Sequence, residues 1–258
     1  MILPPRSGHS WRRPGHERAS VSGEQPAPRR ILLKLSGEVL GGGGPGIEPS
    51  VLAATVSAVL GALEQGVQLA LVIGGGNIFR GAALQQAGLD RITGDQMGML
   101  ATLINGLALR DEFVRQGCRA VLMSPYAMPS VSMQYQAVLG RELLSLGTVV
   151  VLAGGTGAPL FTTDTTAVLR AVELGCQEVL KGTKVDGIYS ADPVSHPDAS
   201  FIGHISYDEV LERHIEVMDP TAFTLAREHA MPIRVFSLSK AGALLRAAQG
   251  GDEGSLVS

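Results

Sequence analysis

Apolar positions along this chain fall into two rhythms. Short, mostly apolar runs at 31–35, 67–73, 119–123, 148–153, 177–181 and 233–237 predict buried strands. Longer segments between them carry apolar residues at steps of three and four. Leu52, Val56, Val59, Leu60 and Leu63 predict a helix over 50–65, with Ser50 as its N-cap and Gly66 as its stop. The segment 97–116 is strongly apolar along its first half, as in a helix buried against a sheet. Further helices are expected over 136–146, 165–174, 207–212, 221–228 and 241–248. Strands alternating with helices imply an α/β fold: a three-layer α/β/α sandwich with a mostly parallel central sheet covered on both faces. No internal repeat interrupts this pattern.

The first 29 residues break the rhythm. They hold Arg6, Arg12, Arg13, Arg18 and Arg29 with several prolines and little periodicity. Such a segment buries too little apolar surface to offset its ordering entropy. It lacks the apolar core of a secretory signal, and its prolines break the amphipathic helix of a transit peptide. It reads as a disordered basic extension, followed by one folded domain over 30–258.

Composition narrows the function classes. A hydrophobic share of 45% and a charged share of 17% are ordinary for a globular protein. The net charge of −3 gives no reason to expect nucleic-acid binding. No apolar run approaches the ~18 residues needed to span a bilayer. Cys118 and Cys176 form no CxxC pattern and read as buried free thiols of a reducing compartment. The scattered histidines show no metal-ligand spacing, so no protein-held metal site is expected.

Glycine placement points to chemistry. The 33 glycines cluster where apolar runs end. Gly74-Gly75-Gly76 follows one strand and Gly154-Gly155-Thr156-Gly157 another, while Lys34 and Ser36-Gly37 close the first. Backbone without side chains can approach a phosphate and turn N–H groups toward it. Arg80, just past the triple glycine, can add a planar charged fork. Ligands of such folds bind at the carboxyl ends of the strands, where these glycines lie. The common fingerprints are absent, since no GxxxxGK[ST] exists and neither glycine cluster completes GxGxxG.

Several residues keep two readings from spacing alone. Lys34 either faces solvent on an edge strand or meets a phosphate at the strand end. The glycines at 41–44 read as a flexible loop able to close over a ligand. Asp95 serves equally as a helix N-cap or as an acceptor for ligand hydroxyls. The segment 154–164 combines glycines, the hydroxyls of Thr156, Thr162 and Thr163, and Asp164 at a helix start. Lys181 and Lys184 stand at another strand end, with Tyr189 and Asp192 beyond.

Taken together, KLSGE at 34–38, GGGNIFRG at 74–81, GDQMGMLAT at 94–102, GTGAPLFTTD at 155–164, KGTKVDGIYSADP at 181–193 and MDPTAFTLA at 218–226 resemble the amino acid kinase family. GDQMGMLAT and TGAPLFTTD point to its uridylate kinase branch. The resemblance covers nearly all of the chain from Arg30 onward. It implies transfer of phosphate from Mg-ATP to UMP in pyrimidine nucleotide biosynthesis. The N-terminal part of the domain would bind UMP and the C-terminal part ATP.

The resemblance also implies residue roles. Lys34, Leu35, Ser36 and Gly37 would hold ATP phosphates, with Lys34 on the transferring group. Gly76 and Arg80 would contact the transferred or β-phosphate. Gly75 would touch the UMP phosphate and Asp95 the ribose hydroxyls. Thr156, Gly157, Ala158, Pro159, Leu160, Phe161, Thr162 and Thr163 would line the UMP pocket. Asp164 would organise the catalytic Lys34 and Lys181. Thr183, Tyr189 and Asp192 would frame adenosine.

The same family likeness implies a cytoplasmic homohexamer, with GTP activation and UTP inhibition in many members. Val114 and Val121 stand where a histidine and an arginine used by GTP are expected, which puts GTP activation in question here. A family member acting on a carboxylate or carbamate, or a non-catalytic nucleotide- or oxyanion-binding protein on the same fold, is the alternative.

Overall fold

In the computed structural model, which describes residues 28–79, 88–193 and 195–258, the chain begins its fold at the centre of a sheet. β1 (Arg30–Leu35) is buried over its last five residues. α1 (Pro49–Leu63) leads to β2 (Gln68–Ile73), which pairs parallel to β1. Then come α2 (Arg91–Arg115), β3 (Ala120–Ser124), β4 (Met133–Gln134), α3 (Ala137–Ser145) and β5 (Val149–Leu152). α4 (Thr163–Leu174) precedes β6 (Glu178–Thr183), which returns to the other side of β1. After β6 come β7 (Ile188–Tyr189), β8 (Phe201–Ile202), β9 (His204–Ile205), α5 (Tyr207–Glu212) and α6 (Pro220–Glu228). β10 (Ile233–Ser237), α7 (Ala243–Ala248) and β11 (Ser255–Val257) close the chain.

Among the described residues the main sheet runs β4-β3-β5-β2-β1-β6-β10-β11-β9. Its pairings are parallel except that of β10 with β11. The chain fills one flank through β2 and β5, then crosses β1 and fills the other through β6 and β10. That reversal opens a crevice at the carboxyl ends of β1 and β6, the place where open α/β sheets take ligands.

Strand alternation divides the core. Ile31, Leu33 and Leu35 face one cluster with residues of α1, α2 and α7. Leu32 and Val179 face the other, with α3, α4, α5 and α6. The period of two therefore puts Lys34 and Lys181 on the α4 side. Lys34 lies on a central strand and is only 7% exposed, so the edge-strand reading does not hold.

The glycine-rich stretch after β1 is more ordered than a flexible loop. Gly37–Gly41 forms a 3-10 turn capped by the Ser36 hydroxyl, which accepts from the Glu38 N–H at 3.4 Å. The Gly46 N–H then donates to the Asn77 carbonyl at 2.9 Å. Gly37 is required by close packing. A β-carbon there would stand 2.7 Å from the Gly74 carbonyl oxygen and 2.9 Å from the Gly76 nitrogen.

Most helix starts move slightly from the expected positions. α1 starts at Pro49 with Glu48 as N-cap, because proline suits the first helical position. α2 starts at Arg91, six residues before the expected apolar segment, capped by Asp90. Arg29 is not part of an extension, since its guanidinium pairs with Glu178 at the start of β6. Residues 1–27 of the expected extension lie outside the described residues.

Candidate active site

The crevice between β1 and β6 holds a compact charge cluster. Lys34 and Lys181 are register partners on adjacent strands, so two ammonium groups project side by side from one face. Asp164, the second residue of α4, enters from above. Its Oδ1 lies 2.7 Å from Lys34 Nζ and its Oδ2 2.9 Å from Lys181 Nζ. Lys181 also donates to the Val217 carbonyl. Burial works against charge on Asp164, but the two ammonium charges outweigh it and hold the carboxyl below its ordinary range. Burial pushes Lys181 below its ordinary value. The Lys34 charge adds to that push, and Asp164 opposes it.

The start of α4 is fixed by a polar relay. Thr162 is the N-cap and accepts from the N–H groups of Asp164 and Thr165 at 3.0 and 3.5 Å. Thr162 and Thr165 donate to Asp219 at 2.5 and 2.9 Å. Asp219 in turn caps α6 by accepting from the Ala222 N–H at 3.0 Å. Two helix N-termini are thus tied together beside the lysines. Sequence reading gave no role to Asp219, although aspartate followed by proline is a helix-start signal.

A cleft of about 180 Å³ opens next to this cluster. Gly75, Gly76, Asp95, Phe161, Thr162 and Thr163 line it, together with Gly98, Met99 and Thr102 of α2. Gly75 is close-packed on α2: a β-carbon would lie 2.9 Å from the Ala101 methyl and from the Gly98 carbonyl oxygen. The turn after β2 can therefore rest directly on the helix.

Asp95 is not an N-cap. It sits in the second turn of α2, where Arg91 Nε contacts both carboxylate oxygens at 3.1 Å. It also accepts from the Leu160 N–H at 2.9 Å. Leu160 has φ of 74°, a left-handed conformation costly for a branched residue. Thr156 turns the same loop, accepting from the Ala158 N–H at 3.1 Å. Gly157 packs its backbone on Pro125, where a β-carbon would be 2.8 Å away. Thr156, Gly157, Ala158, Pro159 and Leu160 shape the loop without lining the cleft, whereas Phe161, Thr162 and Thr163 do line it.

On the other side of Asp164 a wider cavity of about 620 Å³ is lined by Lys181 and the segment joining α5 to α6, including His214, Val217 and Met218. Thr183, Tyr189 and Asp192 do not line it. Thr183 donates to the Val185 carbonyl at 2.5 Å. The Tyr189 hydroxyl donates to Asp186 at 2.5 Å, and its ring meets Phe201 edge-on at 5.5 Å. Asp192 accepts from Ser195 at 2.8 Å. A third cavity, between Gly43-Gly44 and Gly76-Asn77, carries Glu38 and Lys184, paired at 3.2 Å. Arg80 lies outside the described residues.

Known proteins share this architecture. The profile of the amino acid kinase family matches residues 29–237. The uridylate kinase of Idiomarina loihiensis is 52% identical over 235 residues, covering 91% of this chain and 96% of its own. That of Alcanivorax borkumensis is 53% identical over 247 residues, covering 94% of this chain and 98% of its own. The solved UMP kinase of Bacillus anthracis superposes with a TM-score of 0.86 at 32% identity, covering 90% of this chain and 96% of that one. The UMP kinase of Ureaplasma parvum gives 0.82 at 30% identity, with 90% and 99% covered.

Proposed function

The chain belongs to the amino acid kinase family, and from that premise we propose that it transfers the γ-phosphate of Mg-ATP to UMP, giving UDP. The observation that carries this reading is the Lys34–Asp164–Lys181 cluster beside a glycine-lined cleft that also holds Asp95. Phosphoryl transfer asks for in-line positioning and charge neutralisation on the transferring oxygens, with little covalent work for the protein. The UMP phosphate is itself the nucleophile, so no strong general base is needed.

Each part then has a task. Asp164 pairs with two buried lysines and holds them side by side, where they meet the transferring phosphate. Gly75 and Gly76 offer close backbone approach to the phosphates, and Ser36 and Gly37 do the same from β1. Asp95 accepts from ribose hydroxyls, exchanging its contact with the Leu160 N–H for the nucleotide. Phe161, Thr162 and Thr163 close the UMP side. Thr183, Tyr189 and Asp192 frame adenosine, and Arg80 adds a guanidinium to the phosphates.

Mg²⁺ belongs with the ATP. Both Asp164 oxygens face lysines, and the described residues contain no cluster of three or more His, Cys, Asp or Glu that could hold a metal. The donor set thus suits an ion carried on the triphosphate oxygens, where it supplies further charge neutralisation.

The reading extends to a cytoplasmic homo-oligomer, a hexamer as in the family. The face of α2 supports association: Met97, Leu100 and Ile104 are 39%, 49% and 51% exposed at helical spacing. No helix among the described residues is long and apolar enough to cross a membrane. Inhibition by UTP fits occupation of the UMP cleft. Val114 and Val121 replace the histidine and arginine expected to meet GTP, so activation by GTP is not part of this reading. A coupled assay of ADP release with UMP, CMP, acetylglutamate and aspartate tests the activity. Preference for UMP is expected, and equal or better turnover of any other acceptor overturns it.

A further inference from the structure

A buried amide pair stands behind the glycine turns. Asn105 lies mid-helix in α2 and is fully buried. Asparagine is a poor interior helix residue, because its side chain competes for backbone hydrogen bonds. Here the amide reaches outside the helix. Its Nδ2 donates to the Gly74 carbonyl at 2.7 Å and to Asn77 Oδ1 at 2.7 Å. Asn77 Nδ2 returns a bond to Asn105 Oδ1 at 3.1 Å and donates to the Gly46 carbonyl at 2.6 Å. Each amide nitrogen thus faces a main-chain carbonyl, which fixes both orientations. All four amide hydrogens are used.

The pair joins three pieces of the site. Gly46 ends the glycine-rich stretch that begins at Gly37. Gly74 opens the turn carrying Gly75 and Gly76. α2 carries Asp95 two turns and more before Asn105. One turn before Asn105, Thr102 accepts from the Gly154 N–H at 2.7 Å, which holds the third glycine turn from the same helix. An apolar pair of similar shape would fill the space but leave the Gly74 and Gly46 carbonyls without these donors. The amides therefore satisfy the two phosphate-facing backbones and at the same time fix their alignment.

We propose that Asn105, through its reciprocal amide pair with Asn77, is a positioning residue for phosphoryl transfer. It sets the Gly37–Gly46 stretch and the Gly74–Gly76 turn in register, so that donor and acceptor phosphates meet in line. The inference rests on the kinase reading above. Misplacement of reacting groups by about 1 Å costs up to ~100-fold in rate.

The test uses the full chain and its steady-state UMP kinase activity, well below every variant's melting temperature. Asn105→Leu and Asn77→Ala should each lower kcat about 10- to 100-fold, with KM for both nucleotides changing less than kcat. The double variant should lose little more than the worse single one, because the two residues act as a unit. Leu109→Ala, a core truncation one turn further along α2, should lower the melting temperature but keep kcat within about twofold.

Wild-type kcat in Asn77→Ala or Asn105→Leu overturns the inference, as do multiplicative losses in the double variant. Equal kcat loss in Leu109→Ala overturns it too, by making the effect general to the helix. If Asn105→Leu does not fold, Asn77→Ala alone decides. A wild-type chain inactive on UMP overturns the kinase reading itself, and is distinguished by appearing before any substitution.

Discussion

Replacing Asp164 with asparagine tests the charge logic of the site. The substitution keeps size and removes one negative charge from between two buried ammonium groups. Lys34 and Lys181 are register partners, and neighbouring strands lie about 4.8 Å apart. Two like charges at that range repel by about 3–4 kcal/mol at an effective dielectric of about 20. Burial and the Lys34 charge already lower the Lys181 pKa, and Asp164 is what restrains the fall. Without it, the Lys181 pKa should fall further and the ammonium should lose its proton more readily. Loss of one preorganised cation costs about 10²–10³ in kcat.

The sign of the pH effect follows. Protonated Lys181 is the active form, so Asp164→Asn activity should rise as pH falls and be lost as pH rises through the lowered Lys181 pKa. The wild type should be flat over the same range. Initial rates of ADP release at saturating UMP and ATP, measured across pH, provide the assay. A variant kcat within about threefold of wild type, or a pH profile parallel to it, would refute the reasoning.

Three further outcomes follow from other parts of the molecule. Asp95→Asn should weaken UMP binding with little change for ATP, since each charge-assisted hydrogen bond to a ribose hydroxyl contributes ~1.5–3 kcal/mol; separate titration of the nucleotides checks it, and selective loss of ATP affinity would put Asp95 in the wrong place. Glu253 is buried between Lys240 and Arg246, at 2.6 Å from each; burial raises its carboxyl, but the hydrogen bonds of both cations prevail and hold it below the ordinary value. Its stabilisation is therefore present above the unfolded carboxyl pKa and lost as pH falls through the depressed one, so the melting-temperature gap between wild type and Glu253→Gln should close in acid. A chain beginning at Pro28 should keep kcat and melting temperature, because Arg29 and its Glu178 contact are retained; a large fall in either would give residues 1–27 a role in the folded body.

How far the fold and site were readable depends on the kind of signal. The strand Ile233–Ser237 and the helix Tyr207–Glu212 stand where apolar periodicity predicts them. Burial of a regular face leaves a repeating mark in the sequence. Lys34 was readable as an anomaly, a charge inside an apolar run with glycine close behind. The first turns of α2 were not, because Gly94 and Asp95 line a cleft and Arg91 to Gln96 carry little apolar stripe; Asp95 was therefore open to reading as a cap. β4, β7, β8, β9 and β11 have two or three residues each, too few to show a period of two. Assigning Asp164 to both lysines required the register of β1 with β6, a pairing across 147 residues that spacing does not encode. The family likeness supplied that link.

The Asn77–Asn105 pair lies beyond both routes. Its members are 28 residues apart on a turn and a helix; Asn77 stands inside the GGGNIFRG motif, but nothing in a linear reading joins it to Asn105. What marks them is burial together with complete pairing, and both are properties of the assembled fold. The residues proposed to touch phosphate carry glycine and lysine signatures, because that chemistry restricts residue type at one position. Residues that hold those backbones in place need only a hydrogen-bonding side chain of the right length. Their identity follows from where the chain returns, which is why they are found by tracing what each glycine turn rests on.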